Sequence, residues 1–179
     1  MSSDAVPFEY AVNVRTLPRS GREERYEADE TARAALAAAN GLEEVRAFRA
    51  DAKLMPWKKG GVQVKGRVRA DVVQPCAATG EPLAASVDEE VDMLFVPAGS
   101  PLAKPRTDPD GELVFDPLGE DLPEPFEGDS IDLAALWCEF FTLGLDPNLR
   151  TEGATFESVE EDAQKEPSPF AVLASLKKH

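Results

Sequence analysis

The sequence has 179 residues, with 34 acidic side chains against 19 Lys and Arg, a formal net charge of −15 and a pI of about 4.5. This length suits one domain with its own core, and no apolar run approaches the roughly 20 residues that span a bilayer. The only histidine is His179, and Cys76 and Cys138 lack metal-ligand spacing, so we expect no enzyme, no metal and no cofactor.

The N-terminus shows no signal-peptide pattern, and two cysteines suit a reducing compartment. We therefore expect a cytoplasmic protein that uses neither a membrane nor a small-molecule substrate.

The charge is distributed unevenly along the chain. Residues 1–75 hold 13 Lys and Arg against 11 Asp and Glu, a net of +2, whereas residues 76–179 hold 6 against 23, a net of −17. Residues 53–69 contain no acid and six bases, which are Lys53, Lys58, Lys59, Lys65, Arg67 and Arg69. Such a window on an acidic protein predicts a small surface that faces a polyanion.

The first 41 residues predict two strands and a helix. Alternating apolar residues indicate a strand over residues 8–17, and a shorter strand is expected over 24–28. Asp29 is placed to cap a helix over residues 30–39, which Gly41 would end in the left-handed conformation.

Three longer strands are expected next, over residues 42–54, 62–73 and 84–96. The strand 62–73 has the clearest alternation, with valines on one face and basic side chains on the other. Residues 55–61 and 75–82 are rich in glycine and proline and predict turns.

The second half predicts less regular structure around one helix. Residues 98–111 indicate a surface loop, and the acidic, proline-containing residues 116–128 an extended segment. An apolar stripe at helical spacing then predicts a helix over residues 131–145, capped by Asp129 or Ser130.

Together these elements predict an α+β fold, with a curved or barrel-like antiparallel sheet packed by two or three helices. Residues 1–149 are expected to form a single domain. An acidic, flexible linker over 150–168 and a C-terminal docking helix over 169–179 would follow it.

Three sequence blocks resemble the YceD family, the large ribosomal RNA subunit accumulation proteins. They are GRVRADVVQPCAATGEPL at residues 66–83, IDLAALWCEFFTLGLDP at 131–147 and SPFAVLASLK at 168–177. Many relatives carry C-x-x-C-L-x-P in the first block. Here Cys76 and Pro82 match that pattern but Thr79 replaces the second cysteine, so no dithiol or zinc role carries over.

The resemblance implies a non-enzymatic role in the accumulation or processing of large-subunit (23S) ribosomal RNA. The expected partner is that RNA or a pre-ribosomal particle. A further possibility is an acidic chaperone or adaptor that binds a basic ribosomal protein through residues 108–129 and 152–166.

The basic window supplies the candidate RNA-binding residues. The side chains of Lys65, Arg67 and Arg69 recur at every second position, about 6–7 Å apart, close to the spacing of phosphates along a nucleic-acid strand. In the preceding turn, Lys58 and Lys59 add positive charge, and Trp57 offers a stacking surface for an unpaired base.

A structural interpretation competes with RNA binding at the strand, and both can hold in part. The three strand cations would then pair across the hairpin with acids of the next strand, which are Glu89, Glu90 and Asp92.

Several other residues have structural interpretations that we favour over functional ones. Cys76 and Cys138 are expected to pack as small apolar residues, and Asp132 to support a helix N-terminus. Trp137, Phe140 and Phe141 predict core packing, with a partner groove as the alternative.

An enzymatic alternative also stays open at this point. A nuclease would need Mg²⁺ held by paired acids such as Glu89 with Glu90, or Asp108 with Asp110.

Overall fold

The computed structural model describes residues 6–103 and 122–151, and these contain two α-helices and seven β-strands. The helices are α1 (Glu30–Asn40) and α2 (Leu133–Leu143). The strands are β1 (Ala11–Asn13), β2 (Arg22–Glu27), β3 (Glu44–Trp57), β4 (Gly61–Pro75), β5 (Pro82–Pro97), β6 (Glu124–Phe126) and β7 (Ser130–Asp132).

Helix α1 begins and ends where its capping residues predict. The side chain of Asp29 accepts a hydrogen bond from the backbone N–H of Ala32 at 2.8 Å. Gly41 follows the helix with φ 65°, and its N–H bonds to the carbonyl of Ala37. Leu36 is fully buried, so this alanine-rich helix packs closely on the sheet.

Five strands form one open sheet in the order β2-β3-β4-β5-β6. All neighbours pair antiparallel except β5 and β6, which are parallel. The sheet is not closed into a barrel, and the helices pack on one side of it, so the predicted α+β class is confirmed.

The two faces of this sheet differ in chemistry. On the face toward the helices, here called the inner face, Val64, Val68 and Val91 are fully buried. The opposite face, here called the outer face, carries Lys65 and Arg69, both exposed. The alternation predicted for this strand is thus confirmed, and the basic side chains lie on the outer face.

The long hairpin between β3 and β4 is tighter than the sequence predicted. Strand β3 continues through Trp57, which pairs with Gly61, so the connection contains only Lys58, Lys59 and Gly60. The expected turn over residues 55–61 is therefore wrong in extent, because cross-strand pairing extends both strands to the end of the hairpin.

The region around α2 also differs from the prediction. The expected strand over residues 8–17 is reduced to β1, which pairs with β7 rather than with the main sheet. Because Val12 pairs with Ile131, residues 130–132 are a strand, and the predicted helix start at 131 with an Asp129 or Ser130 cap is wrong.

Helix α2 is capped by Asp132, whose carboxylate accepts hydrogen bonds from the N–H groups of Ala134 (2.9 Å) and Ala135 (3.2 Å). The predicted role of Asp132 at a helix N-terminus is confirmed.

Aromatic side chains join α2 to both sheets. Trp137 is fully buried, and its ring centroid lies 5.0 Å from that of Tyr10 and 6.2 Å from that of Tyr26. Phe141, also fully buried, contacts Phe48 of β3 edge-on at 5.5 Å. Core packing of this stripe is therefore confirmed, with Phe140 half-buried beside it.

The predicted linker beyond Thr151 and the C-terminal docking helix lie outside the described residues. Within residues 6–103 and 122–151, no helix is both long and apolar enough to cross a membrane.

Gly66, in the middle of β4, marks a place where two strand backbones approach closely. A Cβ atom at this position would lie 1.9 Å from the carbonyl oxygen of Asp51 and 2.8 Å from the Cα of Ala52. Since both neighbours are backbone atoms of β3, they cannot rotate away, and only glycine fits.

We therefore expect Gly66→Ala to lower the free energy of unfolding by about 3 kcal/mol or more, because β3 would have to shift. Urea denaturation measures this change. Gly99→Ala is the matched control: Gly99 has φ 82° and open space around its Cβ position, so we expect it to cost only about 1 kcal/mol. Equal losses in the two variants would contradict the close approach.

Candidate nucleic-acid interface

Three rows of charged side chains cross the outer face, each with one residue from β2, β3, β4 and β5. In that order they are Glu27–Arg49–Arg69–Asp88, Arg25–Asp51–Arg67–Glu90 and Glu23–Lys53–Lys65–Asp92. Every row holds two acids and two bases, so each is formally neutral. We call these the charge rows.

The strand cations of the candidate site lie inside these rows and are paired. Lys65 contacts Asp92 at 2.9 Å. Arg67 contacts Asp88 at 3.2 Å, and Arg69 lies between Asp88 at 3.4 Å and Asp51 at 3.6 Å. All of these groups are substantially exposed, so each pair contributes only a few tenths to about 1 kcal/mol.

The cations of β4 do pair with acids of β5, as the structural interpretation predicts, but two of the three predicted partners are wrong. Asp92 is confirmed as the partner of Lys65. Glu90 lies directly across from Arg67, yet the guanidinium reaches diagonally to Asp88. Glu89 lies on the opposite face, where its side chain approaches Gly144 at the end of α2.

Like charges also face each other across the two central strands. Arg49 lies opposite Arg69, and Lys53 lies opposite Lys65. Directly opposed like charges destabilise a strand pair. In these two rows the acids at the ends, Glu27 with Asp88 and Glu23 with Asp92, offset that repulsion.

The end of the β3–β4 hairpin has a different character. We call Trp57, Lys58, Lys59 and Gly60 the hairpin tip. The ammonium group of Lys58 lies 5.1 Å from the centre of the Trp57 ring, a cation–π contact. Within residues 6–103 and 122–151, no carboxylate forms an ion pair with Lys58 or Lys59, nor with Lys53 behind them.

Six sequence-predicted site residues therefore separate into two groups. Trp57, Lys58 and Lys59 lie together at the hairpin tip with their positive charge unbalanced, whereas Lys65, Arg67 and Arg69 follow along β4 inside neutral rows. Sequence reasoning missed Asp51 and Asp88 as partners, because only the strand register brings them beside the arginines.

The nuclease alternative finds no supporting geometry among the described residues. Glu89 and Glu90 are neighbours on one strand and therefore point to opposite faces. Asp108 and Asp110 lie outside the described residues. Within the part of the chain that the structure describes, no three acids, cysteines or histidines are grouped to hold a metal ion.

Cys76 is buried as predicted, but its surroundings are polar. The Thr79 hydroxyl and the backbone N–H groups of Thr151 and Ala78 are among the groups that hydrogen-bond to its sulfur, and they lower the pKa of the thiol to about 6. By contrast, burial raises the pKa of the Cys138 thiol to about 11. Thr79, at the place of the missing second cysteine, thus supports a thiolate.

Comparison with known proteins gives one match. Residues 64–177 match the family model described as large ribosomal RNA subunit accumulation protein YceD. No curated protein and no solved structure matches the chain significantly. The matched range contains Lys65, Arg67 and Arg69, whereas the hairpin tip precedes it.

Lys59 is the one non-glycine residue with positive φ among those described, at φ 54° and ψ 42°. This left-handed conformation costs a side-chain-bearing residue roughly 1–2 kcal/mol, and glycine avoids that cost at some expense in chain entropy. We expect Lys59→Gly to raise the free energy of unfolding by roughly 0.5–1 kcal/mol, measured by urea denaturation. Lys58→Gly, the control, should not stabilise, and a loss of stability in Lys59→Gly would contradict the assignment.

The low pKa of Cys76 predicts a pH-dependent stability. The ordinary thiol pKa is 9.0 and the folded value is about 6, so between these values the unfolded state binds the proton that the folded state has lost. The stabilisation is therefore complete above about pH 9 and disappears as the pH falls through about 6.

The urea midpoint of the unmodified protein should rise between pH 6 and 9, and we expect Cys76→Ser to flatten that rise. Thiolate absorbance at 240 nm, titrated in parallel, should show a midpoint near 6 that the variant lacks. An unchanged slope in Cys76→Ser would show that the thiol stays protonated.

Proposed function

The chain belongs to the YceD family of large ribosomal RNA subunit accumulation proteins, and from this we propose that it is a non-enzymatic, cytoplasmic ribosome-biogenesis factor. It supports the accumulation or processing of 23S ribosomal RNA by contacting that RNA or an early assembly complex. The hairpin tip makes the first contact, and the basic side chains of β4 extend it.

The observation that carries this proposal is the unbalanced positive charge of the hairpin tip. Lys58 and Lys59 have no carboxylate partner within residues 6–103 and 122–151, so their charge is available to phosphates. The chain has a net charge of −15, so acids elsewhere on its surface repel RNA. The positive field of these lysines is therefore confined to the hairpin tip. Binding is therefore local rather than spread over the surface.

The strand cations play a secondary part in this proposal. Lys65, Arg67 and Arg69 are exposed at the surface but neutralised by their partners, so a phosphate has to compete with a carboxylate for each one. These exposed ion pairs are weak, and exchange of a carboxylate for a phosphate costs little. The strand can thus follow an RNA backbone once the tip has engaged it.

The hairpin-tip contact is proposed from the geometry of this chain, since residues 57–59 precede the family match. The match itself supports the link to large-subunit ribosomal RNA. The acidic chaperone remains a second candidate. It is favoured by the net charge of −17 over residues 76–179, although most of its proposed binding segments, 108–129 and 152–166, lie outside the described residues.

The test is the salt dependence of binding to single-stranded segments of 23S ribosomal RNA. Each lysine that contacts a phosphate contributes about 0.7 to the slope of log K against log salt concentration. We expect Lys58→Gln with Lys59→Gln to weaken binding and to reduce this slope by about 1.4.

The matched control, Arg15→Gln with Arg46→Gln, removes the same charge from two exposed ion pairs outside the charge rows and the hairpin tip. It should leave the slope nearly unchanged. Equal effects of both double variants would assign binding to net charge alone. Failure to bind any RNA, together with capture of a basic ribosomal protein, would replace the proposal with the chaperone.

A further inference from the structure

A shallow pocket of about 360 Å³ opens beside the hairpin tip, on the outer face of the sheet. Trp57 and Lys58 form one side of it, Gln63 and Asp92 of β4 and β5 form the floor, and Leu122 closes another side. Its volume is at the small end of the range for ligand pockets and suits a group the size of one nucleotide.

We propose that this pocket receives one unpaired base of the RNA and selects guanine. The inference rests on the proposed function, because it names the part of the RNA that the hairpin tip recognises. The base stacks on Trp57, its hydrogen-bonding edge meets Asp92, and its phosphate lies toward Lys58 and Lys59.

Trp57 is held in a fixed orientation by the backbone of the hairpin. A Cβ atom on Gly61 would lie 3.0 Å from the Cε3 atom of the indole, so the absence of a side chain there lets the ring lie against the strand. In the free protein the Lys58 ammonium group lies over the ring, and the base takes that place when the ammonium group turns to the phosphate. A half-buried, positioned indole loses little entropy when a base stacks on it.

The polar floor explains why a base fits here better than a phosphate. Gln63 donates a hydrogen bond to one oxygen of Asp92 at 3.0 Å, and Lys65 contacts the other at 2.9 Å. These contacts, from Lys65 and then Gln63, hold the pKa of Asp92 below its ordinary value. A carboxylate kept ionised repels a phosphate but accepts hydrogen bonds from N–H groups.

Guanine matches this carboxylate better than the other bases. Its Watson–Crick edge presents two adjacent N–H donors, at N1 and at the 2-amino group, which can meet the two oxygens of Asp92 together. Each oxygen retains a further lone pair beside its present contact. Adenine and cytosine offer an amino group alone, and uracil offers one N–H between two carbonyls.

The charge around the pocket disfavours a lysine or arginine of a partner protein as the occupant. Such a side chain would suit Asp92 alone, but Lys58 lines the pocket and Lys65 already contacts Asp92, so both would repel it. A neutral base attached to a phosphate complements both the acid in the floor and the cations at the rim.

The experiment measures quenching of Trp57 fluorescence by single-stranded RNA heptamers in the full-length protein. One heptamer carries a single guanine in a run of uridines, and the other a single adenine. Trp137 is fully buried and serves as the unquenched background. We expect the guanine heptamer to bind about fivefold more tightly or better, the range for a bidentate base contact.

Asp92→Asn is the diagnostic variant, because an amide offers one acceptor where the carboxylate offers two. It should reduce the guanine-to-adenine affinity ratio to about twofold or less. Asp88→Asn, which removes the same charge from the same face outside the pocket, should keep the full ratio. Since either change raises the affinity for all RNA, the ratio and not the affinity is the measured quantity, and circular dichroism checks folding.

Equal binding of the two heptamers, or an unchanged ratio in Asp92→Asn, would overturn the guanine pocket while the proposed RNA contact stands. Failure of the protein to bind any RNA, 23S segments included, would overturn both. Quenching of Trp57 by a basic ribosomal protein but not by RNA would assign the pocket to a protein partner and reject the inference.

Discussion

The packing of α2 on the inner face of the sheet, centred on Trp137, is the constraint on which the rest of the structure depends. The indole reaches Tyr10 beside β1 and Tyr26 of β2, so one buried side chain ties the small sheet, the helix and the edge of the main sheet together. This packing occupies the inner face. Among the described residues, the outer face and the hairpin tip are therefore the broad surfaces of the sheet that can meet a partner.

The charge rows limit what the outer face can do. A neutral row exerts little field at a distance, so it cannot attract RNA from solution, but its individual cations can exchange one anion for another at close range. The hairpin tip has the opposite property, because its lysines are unbalanced. In the proposed complex, the hairpin tip therefore attracts the RNA and strand β4 extends the contact.

Local patterns predicted much of this arrangement, and long-range pairing produced the errors. Alternation in residues 62–73 identified both faces of β4, and the spacing of Asp29 and Gly41 identified the ends of α1. The start of α2 was wrong because Ile131 pairs with Val12, more than a hundred residues away. Likewise, the candidate cations could be predicted from their spacing. The positions of Asp51 and Asp88 depend on strand register, and that of Leu122 on a segment distant in the sequence, so local patterns could not predict them.

The two outer strands of the main sheet also bear on how the molecule behaves in a crowded solution. Unpaired strand edges are templates for aggregation, and natural sheets block them with charge, proline or short length. In β2, five of six residues are charged, and β6 has three residues with Pro125 at its centre, which lacks an N–H to donate. The β2 edge is thus blocked by charge, and β6 blocks the other edge over the part of β5 that it covers, residues 95–97, against addition of another chain.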